Sequence, residues 1–580
     1  MSNILHTYVP KVKFNKIQGK PYVTVSAKGI SNGLSDTYND GADFGPDTLL
    51  NATSPNQYGP PYTQTYGIQE AINYIANLGG GIIFLGRGTF NITNTGQTSI
   101  NIPFNIPIKI LGEGKETTIL KAPYGFFYLE NSNSQNTNPI EIGQMTLQAT
   151  QSSSSAGGYF VLASSTYGWS NIYIHDMDMY GGGNVDTGVF NIGSFNQVQG
   201  GAPLTNVLLK NLYLDTQGTT NGNEAYTFPM IYGDNFVLDN VTYKNTSGPG
   251  VGFFNVYGGV IVWKNSKIDS SGSSYINMAQ YSTTPSLTNT NLFAKLILDN
   301  MIFENTMNTG GEGGFLPLDV IINNSVVKSA VIFSPSGANN VTLNSFTVSN
   351  TFVSEEYCSL GIGITASLIK LINVTIPDNN NQNSFAQPIL TPNLPYTSMT
   401  VNIEVSNLYV GKPANQSIVM LFLPSNTSSI QAKYNIKWKG MSVGAQWVIG
   451  TPSSYTVYYD PNGFASLVNA NPSYFLSVDF THFDISNNIL YRVTKNPNTP
   501  STPSVPASGT AQVNTNSYPV EVYISGGSAT QVQVTRNGTT YTVWSSSTAT
   551  AIPPLTIRLN SGDSITLTYS TAPSWTWLPA

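Results

Sequence analysis

Four eight-residue stretches decide the fold: VLLKNLYL (207–214), FVLDNVTY (236–243), IVWKNSKI (261–268) and LILDNMIF (296–303). Each alternates apolar and other residues, pauses at Asn, and alternates again. Alternation with period two marks a strand with one buried face. The central break in that alternation asks for a bend, and Asn suits a bend because it tolerates the left-handed backbone region. The same pattern continues as VIINNSVV (320–327), VTLNSFTV (341–348), IKLINVTI (369–376), IEVSNLYV (403–410) and IKWKGMSV (436–443). Upstream, IEIGQMTL (140–147) and IYIHDMDM (172–179) fit it too. The bend position is therefore assigned to Gln144, Asp176, Asn211, Asn240, Asn265, Asn300, Asn324, Ser345, Asn373, Asn407 and Gly440, and Ser325 is one misfit to the apolar pattern.

Strand, corner and strand, repeated every 21 to 35 residues, describes one coil of a parallel β-solenoid. Equivalent residues of neighbouring coils then stack ~4.8 Å apart. The residue before the corner runs Lys210, Asp239, Lys264, Asp299 in consecutive coils, which predicts a structural ladder of alternating charge. Loop length varies after the second strand, where a solenoid carries its functional surface.

Composition narrows the function classes. The chain has 580 residues, 24 Lys+Arg against 30 Asp+Glu and a net charge of −6. Charged residues make up 9% of it, against ~25% in an ordinary globular protein. Arginine occurs only at Arg87, Arg492, Arg536 and Arg558, so nucleic acid, whose phosphates need clustered cations, is not an expected partner. No apolar run reaches the ~18 residues of a transmembrane segment. The opening MSNILHTYVPKVKFNK lacks the apolar core of a secretory signal peptide. Cys358 is the single cysteine, so an internal disulfide is excluded. Little charge and abundant uncharged polarity suit an extracellular surface, and external location without a secretion signal suits release with a virion.

Five segments follow. Residues 1–65 read as an extended attachment segment, 66–450 as the solenoid with a capping helix, and 451–495 as its end region. Residues 496–510 are a Pro/Ser/Thr linker. Residues 511–580 read as a small β-sandwich, with Asn537-Gly538 as a type I′ hairpin turn. The cap is a helix with Ile68, Ala71, Ile72 and Ile75 on one face, stopped by Gly79, Gly80 and Gly81. It would cover the open end of the first coil.

The stretches NDGADFGPDT, AINYIANLGGGIIFLGRGTF and IKILGEGKETTIL resemble the N-terminal signature of pectate-lyase-superfamily right-handed β-helices, a likeness covering about 40–450. It implies an all-β, right-handed parallel β-helix, here of about 11–13 coils. The C-terminal GTAQVNTNSYPVEVYISGG and ITLTYSTAPSWTWLP resemble a module of viral tail fibres and minor tail proteins. Together the two resemblances imply a tail-spike or receptor-binding protein on a virion surface, similar to those of spindle-shaped archaeal viruses. They imply a homotrimer, contact with other virion tail proteins, and a host surface glycan or glycoprotein as partner. A freestanding polysaccharide-degrading enzyme and a purely structural fibre are the alternatives.

The lyase chemistry of the superfamily uses an Arg base beside calcium-binding Asp clusters, yet no arginine lies between Gly88 and Tyr491. Pectinolysis is thus not expected. A glycoside hydrolase needs two carboxyl groups ~5–9.5 Å apart. Asp186 and Glu224, on long loops of adjacent coils, are the catalytic candidates. Tyr180, Tyr226, Phe228 and Glu312 join them as glycan-binding candidates, the rings for stacking on sugar faces. His175 with Asp176 and Asp178 forms no metal constellation in sequence, and no cofactor motif is present.

Overall fold

The computed structural model describes the strands and turns of a rod between residues 21 and 495, and residues 502–579 apart from 516–518. Residues 1–20 and 30–40, and long inter-strand segments such as 181–189, 193–203, 216–227, 246–253, 276–293, 311–317 and 451–464, lie outside the described residues. The rod is a parallel β-helix. Its main sheet has 21 strands, and successive first strands pair in parallel from Tyr22–Val25 to Phe475–Asp484. Two further parallel sheets, of four and seven strands, supply a third strand to many coils, beginning at Ile100–Ile102 and running to Trp447–Gly450. The stack ends where Ile489–Lys495 pairs antiparallel with Phe475–Asp484.

The corners follow from the asparagines. Gln144, Asp176, Asn211, Asn240, Asn265, Asn300, Asn324, Asn373 and Asn407 all have φ between 50° and 61°. A left-handed residue there costs a side chain other than Asn or Gly roughly 1–2 kcal/mol. Asn adds a second benefit, because its amide is both donor and acceptor. Asn211 Nδ2 donates to Asp176 Oδ1 at 2.8 Å, Asn240 to Asn211 at 2.9 Å, Asn300 to Asn265 at 2.9 Å and Asn407 to Asn373 at 2.9 Å. Each of these bonds points back to the preceding coil.

Two of the expected corners are corrected. The corner of its coil is Asn350, with φ 48°, while Ser345 lies inside a strand and pairs with Asp319. The true repeat there is FTVSNTFV (346–353), five residues along, with Thr351 after the corner as Ser325 follows Asn324. These hydroxyls are no misfits. Ser266, Ser325 and Thr351 are buried and donate to the carbonyl oxygens of Lys264, Asn323 and Ser349, while Ser266 and Ser325 accept the N–H of Val241 and Met301 in the preceding coil. The second correction is Gly440, which makes no corner. The register slips between Ser406 and Leu408, Gly440 pairs with Leu408, and Ala432–Ser442 runs through as one strand.

A second asparagine ladder lies five residues before the first. Asn171, Asn206 and Asn235 have φ of 60°, 56° and 63°, and each amide of the later two donates to the one before it, at 3.2 and 3.1 Å. Inside the rod the residues flanking each corner stack into one continuous apolar core, from Val23 to Val493. The helix Ile68–Asn77 buries Ile68, Ala71, Ile72 and Ile75 against its first coils. Residues 511–579 form a five-stranded antiparallel sheet with its own core, including Val522, Val532, Ile565, Leu567 and Trp577.

Candidate functional site

The loop carboxylates and rings expected to act on glycans, Asp186, Glu224, Tyr226 and Glu312, lie outside the described residues, as does the side chain of Phe228, which opens the strand Phe228–Asn245. Tyr180 is described, and it lies in a polar and aromatic patch on the side of the rod. After each corner, residues two and four positions on point away from the core. In adjacent coils this places Asp178 beside Tyr213 and Tyr180 beside Asp215. The result is a checkerboard of two phenol rings and two carboxylates.

The rings of Tyr180 and Tyr213 lie 5.8 Å apart at 53°. Tyr213 Oη donates to Asp215 Oδ2 at 3.4 Å, and Lys115 Nζ holds Asp178 Oδ1 at 2.9 Å. Burial, then the neighbouring carboxylates, raise both tyrosines above the ordinary phenol value, so each keeps its hydroxyl proton at neutral pH. Tyr213 and Asp215 lie on a strand and not on a loop, yet both are legible as positions two and four after Asn211.

The same two rows continue as a charged strip. Tyr213 and Asp215 pair with Thr242 and Lys244, and those with Lys267 and Asp269. Lys267 reaches Glu304 at 2.8 Å, and Lys328 also pairs with Glu304. Hydrogen bonds from these two lysines hold the Glu304 carboxyl below the usual range, and the bond to Glu304 raises Lys267. Asp215, Asp269 and Glu304 are thus each matched by a lysine, which suits a rigid surface better than an acid–base pair.

The first strands carry a row of charged residues before the corner. Lys210, Asp239, Lys264 and Asp299 are successive Cα partners, with Lys264 Nζ 3.4 Å from Asp239 Oδ2. Asn265 and Asn324 also donate to Asp239 and Asp299, tying the row to the corner ladder. One row further from the corner, Leu208, Val237, Val262, Ile297 and Ile321 form a small apolar cluster separate from the core.

Where that row begins sits a third cluster. His175 Nδ1 is 2.7 Å from Asp176 Oδ2, and its Nε2 is 3.2 Å from Glu141 Oε1. Lys109 joins Glu141 at 2.9 Å, and the Tyr173 ring stacks on the imidazole at 4.1 Å. Gly143 lies directly below: an added Cβ would sit 2.8 Å from His175 Nε2, so a side chain is excluded. Burial pulls the His175 pKa down, but the two carboxylates outweigh it and the net shift is upward. With both ring nitrogens engaged, this histidine offers no lone pair for base catalysis or metal binding. Among the described residues no group of three His, Cys, Asp or Glu could hold a metal ion.

No protein-family model and no curated protein matches the chain. Among solved structures it is similar to the tailspike protein of E. coli bacteriophage HK620, solved with a pentasaccharide, at 11% identity over 90% of this chain and 89% of that one, with a TM-score of 0.39. It is also similar to tailspike protein gp49 of Acinetobacter baumannii bacteriophage Fri1, a capsular polysaccharide depolymerase, at 10% identity over 96% and 88%, with a TM-score of 0.33. At those scores, the assignment of a β-helix rests on this chain's own strand pairings.

Proposed function

We propose that this chain is a virion tail-spike protein that attaches the particle to its host by binding surface glycans along the side of the β-helix. The carrying observation is the Tyr180–Tyr213 pair flanked by Asp178 and Asp215 on two hydrogen-bonded coils. Apolar ring faces stack on the C–H faces of sugars, and carboxylates accept from sugar hydroxyls. Mounting both on strands holds them in place without an ordering cost at binding. The low overall charge and the likeness of the C-terminal module to viral tail fibres support a place on a virion, as does the N-terminal β-helix signature. The homotrimer and the contact with other tail proteins follow from the same resemblance.

Binding without efficient cleavage fits this surface. Lys115 engages Asp178 at 2.9 Å and Lys244 lies 3.9 Å from Asp215, so both carboxylates are held in ion pairs on the strand surface. The test is an array of microbial surface polysaccharides and glycoproteins probed with the full chain, with Tyr180→Ala and Tyr213→Ala beside it. Losing one stacked ring weakens binding about tenfold, from ~1–1.5 kcal/mol per aromatic contact. Equal binding by all three proteins removes this face as the site. Release of oligosaccharides by the native chain, lost in Asp186→Asn or Glu224→Gln, would make the protein a depolymerase instead.

A further inference from the structure

The proline-rich segment ahead of the C-terminal sheet has a period. Its prolines fall at Pro497, Pro500, Pro503 and Pro506, one every three residues. Three residues make one turn of the polyproline II helix, so this period sets the prolines along one side of it. Proline fixes its own φ near −65° and disfavours the helical region for the residue before it, so such a run stays extended.

The last two prolines of the run lie against the sheet. Trp575 Nε1 donates to the carbonyl oxygen of Pro503 at 2.7 Å, and Tyr569 Oη donates to that of Pro506. The two acceptors are three residues apart, and the two donors come from different strands, Ser574–Pro579 and Ser564–Thr571. Val505 packs on the core beside them, while Ser504 is exposed. Thr502 Oγ1 accepts from the backbone N–H of Trp577 at 3.0 Å, and Ser508 Oγ from that of Tyr569 at 2.8 Å. Among the described residues Thr502–Pro506 joins no strand of the sheet, and its two proline carbonyls are taken by side chains. Aromatic-lined seats of this kind bind proline-rich segments, whose preformed shape leaves little entropy to lose.

We propose that this seat is a binding site for proline-rich segments with prolines three residues apart, and that Thr502–Pro506 is its ligand in cis, displaceable from a sheet that folds without it. The indole and phenol donors read two carbonyl oxygens one turn apart, and the core accepts the apolar residue beside them. Neither contact calls for charge on the ligand, and the segment from Asn496 to Gly509 carries none. Only four residues separate Pro506 from the first strand of the module, Ala511–Val513. A ligand on so short a tether has an effective concentration of ~mM, so it keeps the seat filled until it is weakened or outnumbered.

The test titrates a fluorescein-labelled peptide of residues 501–509, STPSVPASG, with the full chain and with the full chain carrying both Pro503→Gly and Pro506→Gly. By fluorescence anisotropy the double variant binds the peptide at least about tenfold more tightly than the native chain, whose own segment competes. Adding Trp575→Phe removes the indole donor and weakens that binding about fivefold. Hydrogen-exchange protection of Val520–Arg536 stays native in the double variant, because the sheet does not depend on its ligand. Loss of that protection makes the segment part of the fold and overturns the proposal. So does a folded double variant that takes up no peptide, equal binding by the native chain and the double variant, or binding indifferent to Trp575→Phe.

Discussion

Two buried histidines stand in the same sheet, one in the first third of the rod and one in its last coil, and the corner between strands separates their fates. His175 immediately precedes the left-handed residue Asp176, so its side chain leaves the core and meets Glu141, Asp176 and Lys109. His482 pairs with Gly440, where the corner has been lost. Without the inserted left-handed residue the two-residue alternation runs on unbroken, and Trp438, Phe480, Ser442 and His482 all turn inward. Gly440 leaves the room the imidazole occupies: a Cβ there would lie 3.2 Å from His482 Nδ1 and 2.9 Å from Trp438 Nε1. His482 is fully buried, accepts from Trp438 Nε1 at 3.3 Å and bonds Ser442 Oγ at 2.9 Å, with no carboxylate among these partners. One residue type thus becomes a charged link on the outside and a neutral core group within. The difference is a single residue of backbone.

Acid gives the largest way to break this comparison. Burial pushes His482 down to about 3, so between 6.5 and that value the unfolded chain binds a proton that the folded end coil does not. Stability of this coil then falls as pH falls, by ~1.4 kcal/mol per unit, or ~2.7 kcal/mol by pH 4.5. Hydrogen exchange in Phe475–Asp484 accelerates over that range, and His482→Gln flattens the response. Unchanged protection in the native chain would show that the imidazole is reached by water or by a counter-charge.

The next effect runs the other way. The raised pKa of His175 contributes stability that is fully present below 6.5 and is lost as pH rises through the raised value. Lowered Glu141 and Asp176 contribute stability present above the ordinary carboxylate range and lost as pH falls through their lowered values. The cluster is therefore strongest between those limits, where the end coil is already weakening. Glu141→Gln removes one carboxylate from the imidazolium and from Lys109 and costs ~2 kcal/mol. It is read as faster exchange in Ser170–Tyr180 at pH 6, with Phe475–Asp484 unaffected.

Much of the rod is legible in sequence because its rule is local: alternation names the inward residues, and asparagine names the corner. Tyr180, Tyr213 and the Lys210–Asp299 row follow from counting outward from that corner. The rule misleads where two polar residues compete for the corner, as at Ser345 and Asn350, and where glycine serves space rather than backbone shape, as at Gly440. The room Gly440 leaves for His482 depends on a contact 42 residues away in sequence, which no pattern around Gly440 records. The second ladder escapes the rule because the eight-residue pattern begins at Ile172, Val207 and Phe236, so Asn171, Asn206 and Asn235, left-handed and inside their strands, fall just before it. Asp186 and Glu224 belong to segments without alternation, where sequence supplies residue types and no register.

The smallest effect checks the corner itself, the feature on which the contrast between the two histidines depends. Asn350 has φ 48°, donates to Asn324 Oδ1 at 3.2 Å and accepts from Asn373 Nδ2 at 3.0 Å. Asn350→Ala keeps the left-handed strain and removes these side-chain bonds, at ~1–1.5 kcal/mol, most of it backbone because the amide is exposed. Asn350→Gly loses the same bonds and relieves the strain, so it costs less than Ala. Ser345 donates to Asp319 Oδ1 at 2.7 Å from inside its strand, and Ser345→Ala costs ~0.5 kcal/mol. Thermal unfolding of the three variants orders them, from least to most stable, as Asn350→Ala, Asn350→Gly and Ser345→Ala. If the alanine and glycine substitutions of Asn350 prove equal, left-handed geometry is not what asparagine supplies, and the corner must be attributed to the amide ladder alone.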